Sequence, residues 1–250
     1  LDGHGDAVRL LLDNAPQTNE VGRSAALVGG LLRLARRWPL PVRLFEIGSS
    51  GGLNLQADRI RFTDDTGGSW GPPDASLVLE RAWVGQRLPL EQRVVLVERG
   101  GCDISPVDVT TEDGRLTLTS YVWPDMTARH ARLAGAVELA RRQPVPVEER
   151  DAASYVEGLA LHPGTITVLW HSVMWQYLPA EQHARVIARL AELGATATDD
   201  APLLHLFAEP TRRTPAEDHR FWVVSESWPG GGEREFHGRM FPLGIPVTWQ

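Results

Sequence analysis

The sequence predicts an α/β protein built on a doubly wound, mainly parallel sheet. Three observations predict it. Short apolar runs alternate with amphipathic stretches along most of the chain, the pattern of βαβ units. The run VRLFEI (42–47) stops at the turn GSSGG (48–52) and re-enters apolar sequence at Leu53, reading as a buried strand, a tight turn and a helix start. Two strand-like runs near the end, 221–228 and 239–249, have no helix between them. They read as an antiparallel hairpin at one edge of the sheet.

Each element has its own signal. Val8, Leu11 and Leu12 stand at helical spacing in residues 5–14, before Pro16. Thr18 or Asn19 can cap a second helix over 20–37, which Pro39 and Pro41 end. After the glycine turn, 53–58 predicts a short helix. Extended runs at 60–62 and 77–83 flank the turn-rich TDDTGGSWGPPD, suggesting a β insertion over 55–92. Further strands are expected at 93–98, 144–148, 165–170 and 203–207, and a strand or extended loop at 116–122. Helices are expected at 126–142, with Met126, Leu133, Val137 and Ala140 inward, at 152–161, and at 179–193, closed by Gly194. The 250 residues thus read as one domain: an N-terminal helical segment (1–38), the insertion, and the rest of the core (93–250).

Composition removes several functions. A formal net charge of −7 argues against a general nucleic-acid binder. No apolar run is long enough to span a bilayer and no signal peptide is visible, so no membrane partner is expected. Cys102 stands alone, which excludes an intrachain disulfide and a multi-cysteine zinc site and makes a reducing cytoplasm the expected compartment. All 25 basic residues counted as Lys or Arg are Arg, so lysine Schiff-base chemistry and a Walker-type phosphate loop are both excluded. The eight histidines show no i, i+4 pairing with a matching acid, and no metal is expected.

In a doubly wound sheet, ligands sit at the carboxyl ends of the strands. Polar residues there are the candidates: Glu46 with Gly48, Ser49, Ser50 and Gly52, then Asp103, Asp151, His171 with Ser172, and Glu209. The glycine turn, with a helix behind it, is expected to offer backbone amides to a ligand. Glu46 would hold a hydroxyl or an ammonium. His171 is the candidate base near neutral pH. Asn54, Asp58 and Arg59 can hold the loop; Asn19, Glu20 and Arg23 can close over the ligand; Trp123, Trp170, Met174, Trp175 and Tyr177 can stack on an adenine or line a substrate pocket. Structural readings stand beside these: a plain N-cap at Asp151, a satisfied strand-end histidine at His171, and core packing for the aromatics. GSSGG also admits Ser50 as a hydrolase nucleophile with Glu209 and His237 behind it in chain order, although only helices precede it. The dinucleotide fingerprint is not met, since Ser50 stands where its second glycine belongs.

The order of these segments resembles the class I S-adenosylmethionine-dependent methyltransferases. Glu46-Ile47-Gly48-Ser49-Ser50-Gly51-Gly52 is similar to their first motif, with Ser50 in place of its middle glycine. GCDISP resembles their second acidic segment, and VLWHSVMWQYL their fourth strand and its polar exit. The resemblance implies a Rossmann-like fold, S-adenosylmethionine as cofactor, a small-molecule methyl acceptor, Asp103 on the ribose hydroxyls and Asp151 near the adenine. TNEVGR, EIGSSGGLNLQADR, GCDISPVD, YVWPD and WHSVMWQYL also resemble an uncharacterised bacterial domain family of unknown function. The expected function is therefore methyl transfer. A non-catalytic Rossmann-like binding protein is the alternative, and a serine hydrolase is the third reading.

Overall fold

The computed structural model describes residues 17–250 and the single residue Gly5, so the helix expected over 5–14 otherwise lies outside the described residues. A 3-10 turn at Val21–Arg23 leads into α1 (Ser24–Leu34) and β1 (Val42–Ile47). The insertion supplies β2 (Arg61–Asp64), β3 (Ser69–Trp70) and β4 (Val78–Gly85). Then follow β5 (Leu96–Asp103), α2 (Glu112–Ser120), α3 (Thr127–Arg142), β6 (Val147–Glu149), α4 (Ala152–Glu157) and β7 (Ile166–Ser172). The chain closes with α5 (Ala180–Thr196), β8 (Leu203–Thr211), β9 (Arg220–Trp228), β10 (Arg234–Met240) and β11 (Val247–Trp249).

All eleven strands join one sheet in the order β3-β2-β4-β11-β10-β9-β8-β7-β1-β5-β6. From β6 to β8 neighbouring strands are parallel; β9, β10 and β11 follow antiparallel, and β4 pairs parallel with both β11 and β2. The fold is α/β with a mostly parallel, mixed sheet. Connections leave β1 toward β5 on one side and return to β7 on the other, so a crevice opens beyond the carboxyl end of β1.

β1 is buried along its whole length, and its side chains alternate between two cores. Val42 and Leu44 join α1 and α3; Phe45 and Ile47 join α4 and α5. Helix α1 sits very close to the sheet because it presents glycines: a Cβ on Gly29 would fall 2.0 Å from the Trp249 ring.

Several expectations are corrected. The β9–β10 hairpin is not at a sheet edge; β11 and the insertion strands continue the sheet beyond it, because Val247 in β11 registers with Trp83 in β4. The run 239–249 is two strands, not one. Residues 116–122 hold no strand: α2 covers 112–120, started by the Thr111 side chain accepting from Gly114 N–H, with Glu112 and Asp113 in its first turn. Its threonines donate back to carbonyls four residues earlier, Thr117 to Asp113 and Thr119 to Arg115. The expected helix after the glycine turn is a 3-10 run, Leu53–Arg59. The second helix is shorter than 20–37, and it is Glu20 that caps the preceding turn, through Gly22 N–H.

Candidate functional site

A cavity of about 530 Å³ opens at the carboxyl rim of β1, β5, β6 and β7. Glu46 and Gly48 come from the end of β1, Cys102 and Asp103 from the end of β5, Arg150 follows β6, and Ser172 ends β7. Asn19 and Arg23 approach from the N-terminal segment, and Val173, Met174, Tyr177 and Leu178 form the wall after β7.

Glu46 is a buried acid on the cavity lining. Its side chain is 2% exposed. Oε1 accepts from Trp170 Nε1 at 3.1 Å and from Asn54 Nδ2 at 3.4 Å. Among the described residues Oε2 has no partner, and neither do Asn54 Oδ1 and Ser50 Oγ. Burial pushes the Glu46 carboxyl up to about 8, against the opposing pull of its two hydrogen bonds and of Arg23. Arg23 donates from Nε to the Pro242 carbonyl and from one terminal nitrogen to the Ser172 carbonyl; its other terminal nitrogen has no acceptor among the described residues. Burial pulls the Arg23 guanidinium down, and the charges of Glu20, Glu209 and Glu46 pull it back up.

The glycine turn is held by its neighbours. Gly48 has φ of 69°, open to glycine at little cost, and a Cβ there would meet Met174 at 2.9 Å. Ser50 also has positive φ, and its N–H donates to Asp103 Oδ2 at 2.8 Å. Ser49 N–H goes to the Cys102 carbonyl, Gly52 N–H to the Ser49 carbonyl, and Leu53 N–H to Asn19 Oδ1. The amides expected to face a ligand are thus mostly committed within the protein. The cavity is instead lined by the side chains of Glu46, Ser50, Asn54 and Asp103, with Arg23 as a donor among them. Asp103 takes Ser50 N–H on one oxygen and Ser105 N–H on the other, leaving a further lone pair on each. Burial pushes the Cys102 thiol up to about 12, so it is protonated at neutral pH and no nucleophile.

Of the residues singled out in the sequence, Glu46, Gly48, Ser50, Asn54, Asp103, Asn19, Arg23, Ser172, Met174 and Tyr177 meet at this cavity. Ser49, Gly52, Asp151, Trp123, Trp175 and His171 do not line it. Ser49 is buried and donates to the Glu46 carbonyl. Asp151 caps α4 by accepting from Ser154 N–H, which holds its carboxyl down at about 2. Trp123 is exposed on a turn. His171 lies on the opposite face of β7, with Nδ1 2.8 Å from Glu209 Oε1 and Nε2 2.9 Å from His205 Nε2, and Trp175 stacks on its ring. The hydrolase set is not assembled: Glu209 bonds His171, His237 Nε2 bonds Ser225 Oγ, and Ser50 Oγ has no partner. Cys102, Ile104, Arg150 and Leu178 line the cavity without having been singled out as site residues. Their only signal was position, immediately beside the strand-end residues that were.

Among the described residues no cluster of three or more His, Cys, Asp or Glu side chains is placed to hold a metal ion, and no helix is long and apolar enough to cross a membrane. The molecule is an α/β protein with a cavity, lined by polar and apolar side chains, at the carboxyl rim of its parallel strands. Residues 1–249 match the family described as "Uncharacterized protein conserved in bacteria (DUF2332)", and the chain belongs to that family. No match is found among curated proteins.

Proposed function

We propose that the cavity binds S-adenosylmethionine and that the protein is a methyltransferase acting on a small molecule. One observation carries this reading: Glu46, Ser50 and Asn54, each with a buried side-chain oxygen that has no partner among the described residues, line the same cavity as Arg23. Buried polar atoms without partners are rare, and here three residues that carry them line one cavity, where a ligand can supply the missing partners. An ammonium supplies three. Arg23 adds donors for a carboxylate, so the inner cavity complements the zwitterionic end of an amino acid. Asp103, on the next strand, keeps lone pairs for a diol. The commitment of the turn's amides disfavours a phosphate, which an adenosyl amino acid lacks.

The fold agrees with this. Numbered in chain order among themselves, the five parallel strands β1, β5, β6, β7 and β8 lie in the order 3-2-1-4-5, the Rossmann-like arrangement, with the cavity at its switch point. When bound, S-adenosylmethionine supplies an electrophilic methyl group. The chain's own part is to orient it and to exclude water: Glu46, Arg23 and Asp103 fix its position, and Met174 and Leu178 give the apolar wall that faces an acceptor.

A binding protein without turnover is the second reading. It is favoured by His171, the expected base, facing away from the cavity. Thermal melting with S-adenosylmethionine, S-adenosylhomocysteine and NAD added separately tests binding. A ligand that binds only the native state raises its stability. A rise with the two adenosyl compounds alone supports the proposal, and no rise with either refutes it. Methyl uptake by candidate acceptors then separates the two readings.

A further inference from the structure

Behind the cavity wall lies a buried line of side chains that the proposed reaction does not use. It runs Glu209–His171–His205–Glu226–Arg234. His171 Nδ1 is 2.8 Å from Glu209 Oε1, the two Nε2 atoms are 2.9 Å apart, His205 Nδ1 is 2.8 Å from Glu226 Oε2, and Arg234 Nε donates to Glu226 Oε1 at 2.8 Å. Both histidines, Glu209 and Glu226 are buried.

The protons in this line can be counted. Glu209 Oε1 already accepts from Met174 N–H at 3.0 Å and Trp175 N–H at 3.3 Å, so it acts as an acceptor and His171 Nδ1 carries a hydrogen. At the far end, hydrogen bonds and the charges of His205 and Arg234 outweigh burial and hold the Glu226 carboxyl down at about 2, so His205 Nδ1 also carries one. Between the rings two nitrogens face each other. With no proton there, two lone pairs collide; with two protons, two N–H groups collide; with one, they form an N–H···N bond. One proton between them gives the rings three protons on four nitrogens and one positive charge, which the burial of His205 opposes and its pairing with Glu226 favours. That charge, with Arg234, balances the two carboxylates, so the line is neutral.

We infer that Glu209, His171, His205 and Glu226 hold one shared proton that locks the cavity wall, which makes them positioning residues for whatever the cavity binds. The inference rests on the geometry of the wall and not on the identity of the ligand. Glu209 is the link. The same oxygen that meets His171 holds the amides of Met174 and Trp175, and Met174 lines the cavity over Gly48. Loss of the shared proton leaves two lone pairs 2.9 Å apart and a net negative charge in a dry interior. Glu209 then loses its cationic partner, and the segment after β7 shifts.

Other charged groups face the line. Arg23 acts on Glu209 from the cavity side. His183 in α5 stacks on Trp175 and bonds its carbonyl. Arg234 reaches Glu226 from β10. His183 could itself move the Trp175 signals with pH, so the test uses changes at the distant end of the line.

The experiment is nuclear magnetic resonance of the full chain with 15N-labelled histidine and backbone, titrated from about pH 5 to pH 9. The expected result is a protonated Nδ1 on both rings, Nε2 signals that change together with one midpoint, and Met174 and Trp175 amides that move at that midpoint. Glu226→Gln removes a negative charge and lowers the midpoint by about 1 pH unit; Arg234→Gln removes a positive charge and raises it similarly. Neither residue touches the wall, so a merely structural role predicts no shift at Met174 or Trp175. Separate midpoints for the two rings, an unprotonated Nδ1 on either, or amides whose midpoint stays fixed in the variants overturns the inference. Should one variant fail to fold, the other still tests the sign. Should both fail, the native ring signals decide.

Discussion

Trp170 and His171 are neighbours in one strand, yet they serve two different buried polar regions. Trp170 donates its indole N–H to Glu46 on the cavity side, while His171 turns to Glu209 and His205 on the other. On the cavity side, acceptors stand unpaired: Glu46 Oε2, Ser50 Oγ and Asn54 Oδ1. On the other side, charges are matched from Glu209 to Arg234, with Glu209 Oε2 the one orphan oxygen of the line. The lesson is that burial of polar groups does not by itself mark a ligand site. A line that pairs its own charges needs no ligand, whereas the residues with unpaired oxygens that line the cavity are where the proposed ligand would bind.

The comparison breaks most sharply at Glu46. Glu46→Ala is expected to weaken binding of S-adenosylhomocysteine about 100-fold or more, as removal of one partner of a buried charged pair does; calorimetric titration measures it. Unchanged affinity would show that the unpaired oxygen is not a ligand contact.

The same carboxyl sets a pH dependence in the empty protein. Its folded-state pKa of about 8 lies above its unfolded value, so the native state keeps a proton that the unfolded state has lost. Stability then falls as pH rises from the ordinary carboxylate range to about 8, and is flat above it for this group. Glu46→Gln removes that fall, with a gain of a few kcal/mol at high pH, read from urea unfolding at several pH values. A variant with the native slope contradicts the assignment.

Smaller effects sharpen the picture. Gly48→Ala places a Cβ at positive φ and against Met174, and is expected to cost about 2 kcal/mol. Asp103→Ala strands the N–H groups of Ser50 and Ser105, costing about 1–3 kcal/mol and loosening the turn. Asp151→Ala loses only the cap of α4, about 1 kcal/mol, with ligand affinity unchanged. Thermal melting with and without ligand separates these three.

The sequence was readable where the signal is local. A buried run, a glycine turn and an acid two residues before it locate β1, Gly48 and Glu46 from a dozen residues. Parity was harder. With the strand expected to end at Trp170, His171 seemed to lie on a loop; β7 in fact runs through Ser172, so alternation sends His171 to the far face and Ser172 to the cavity. Long-range pairing was not readable at all. Nothing near Val247 announces Trp83 as its partner, and that pairing puts the hairpin inside the sheet. The histidine line has the same character, since its members come from β7, β8 and β9 and no spacing in the chain connects them.

The most direct measurement is calorimetric titration of S-adenosylhomocysteine at neutral pH in two buffers of different ionisation enthalpy. Glu46 is protonated in the empty site at that pH and must ionise to hold an ammonium, so binding is expected to release close to one proton, and Glu46→Gln to abolish that release. Absence of binding, or tight binding with no proton released, contradicts the account.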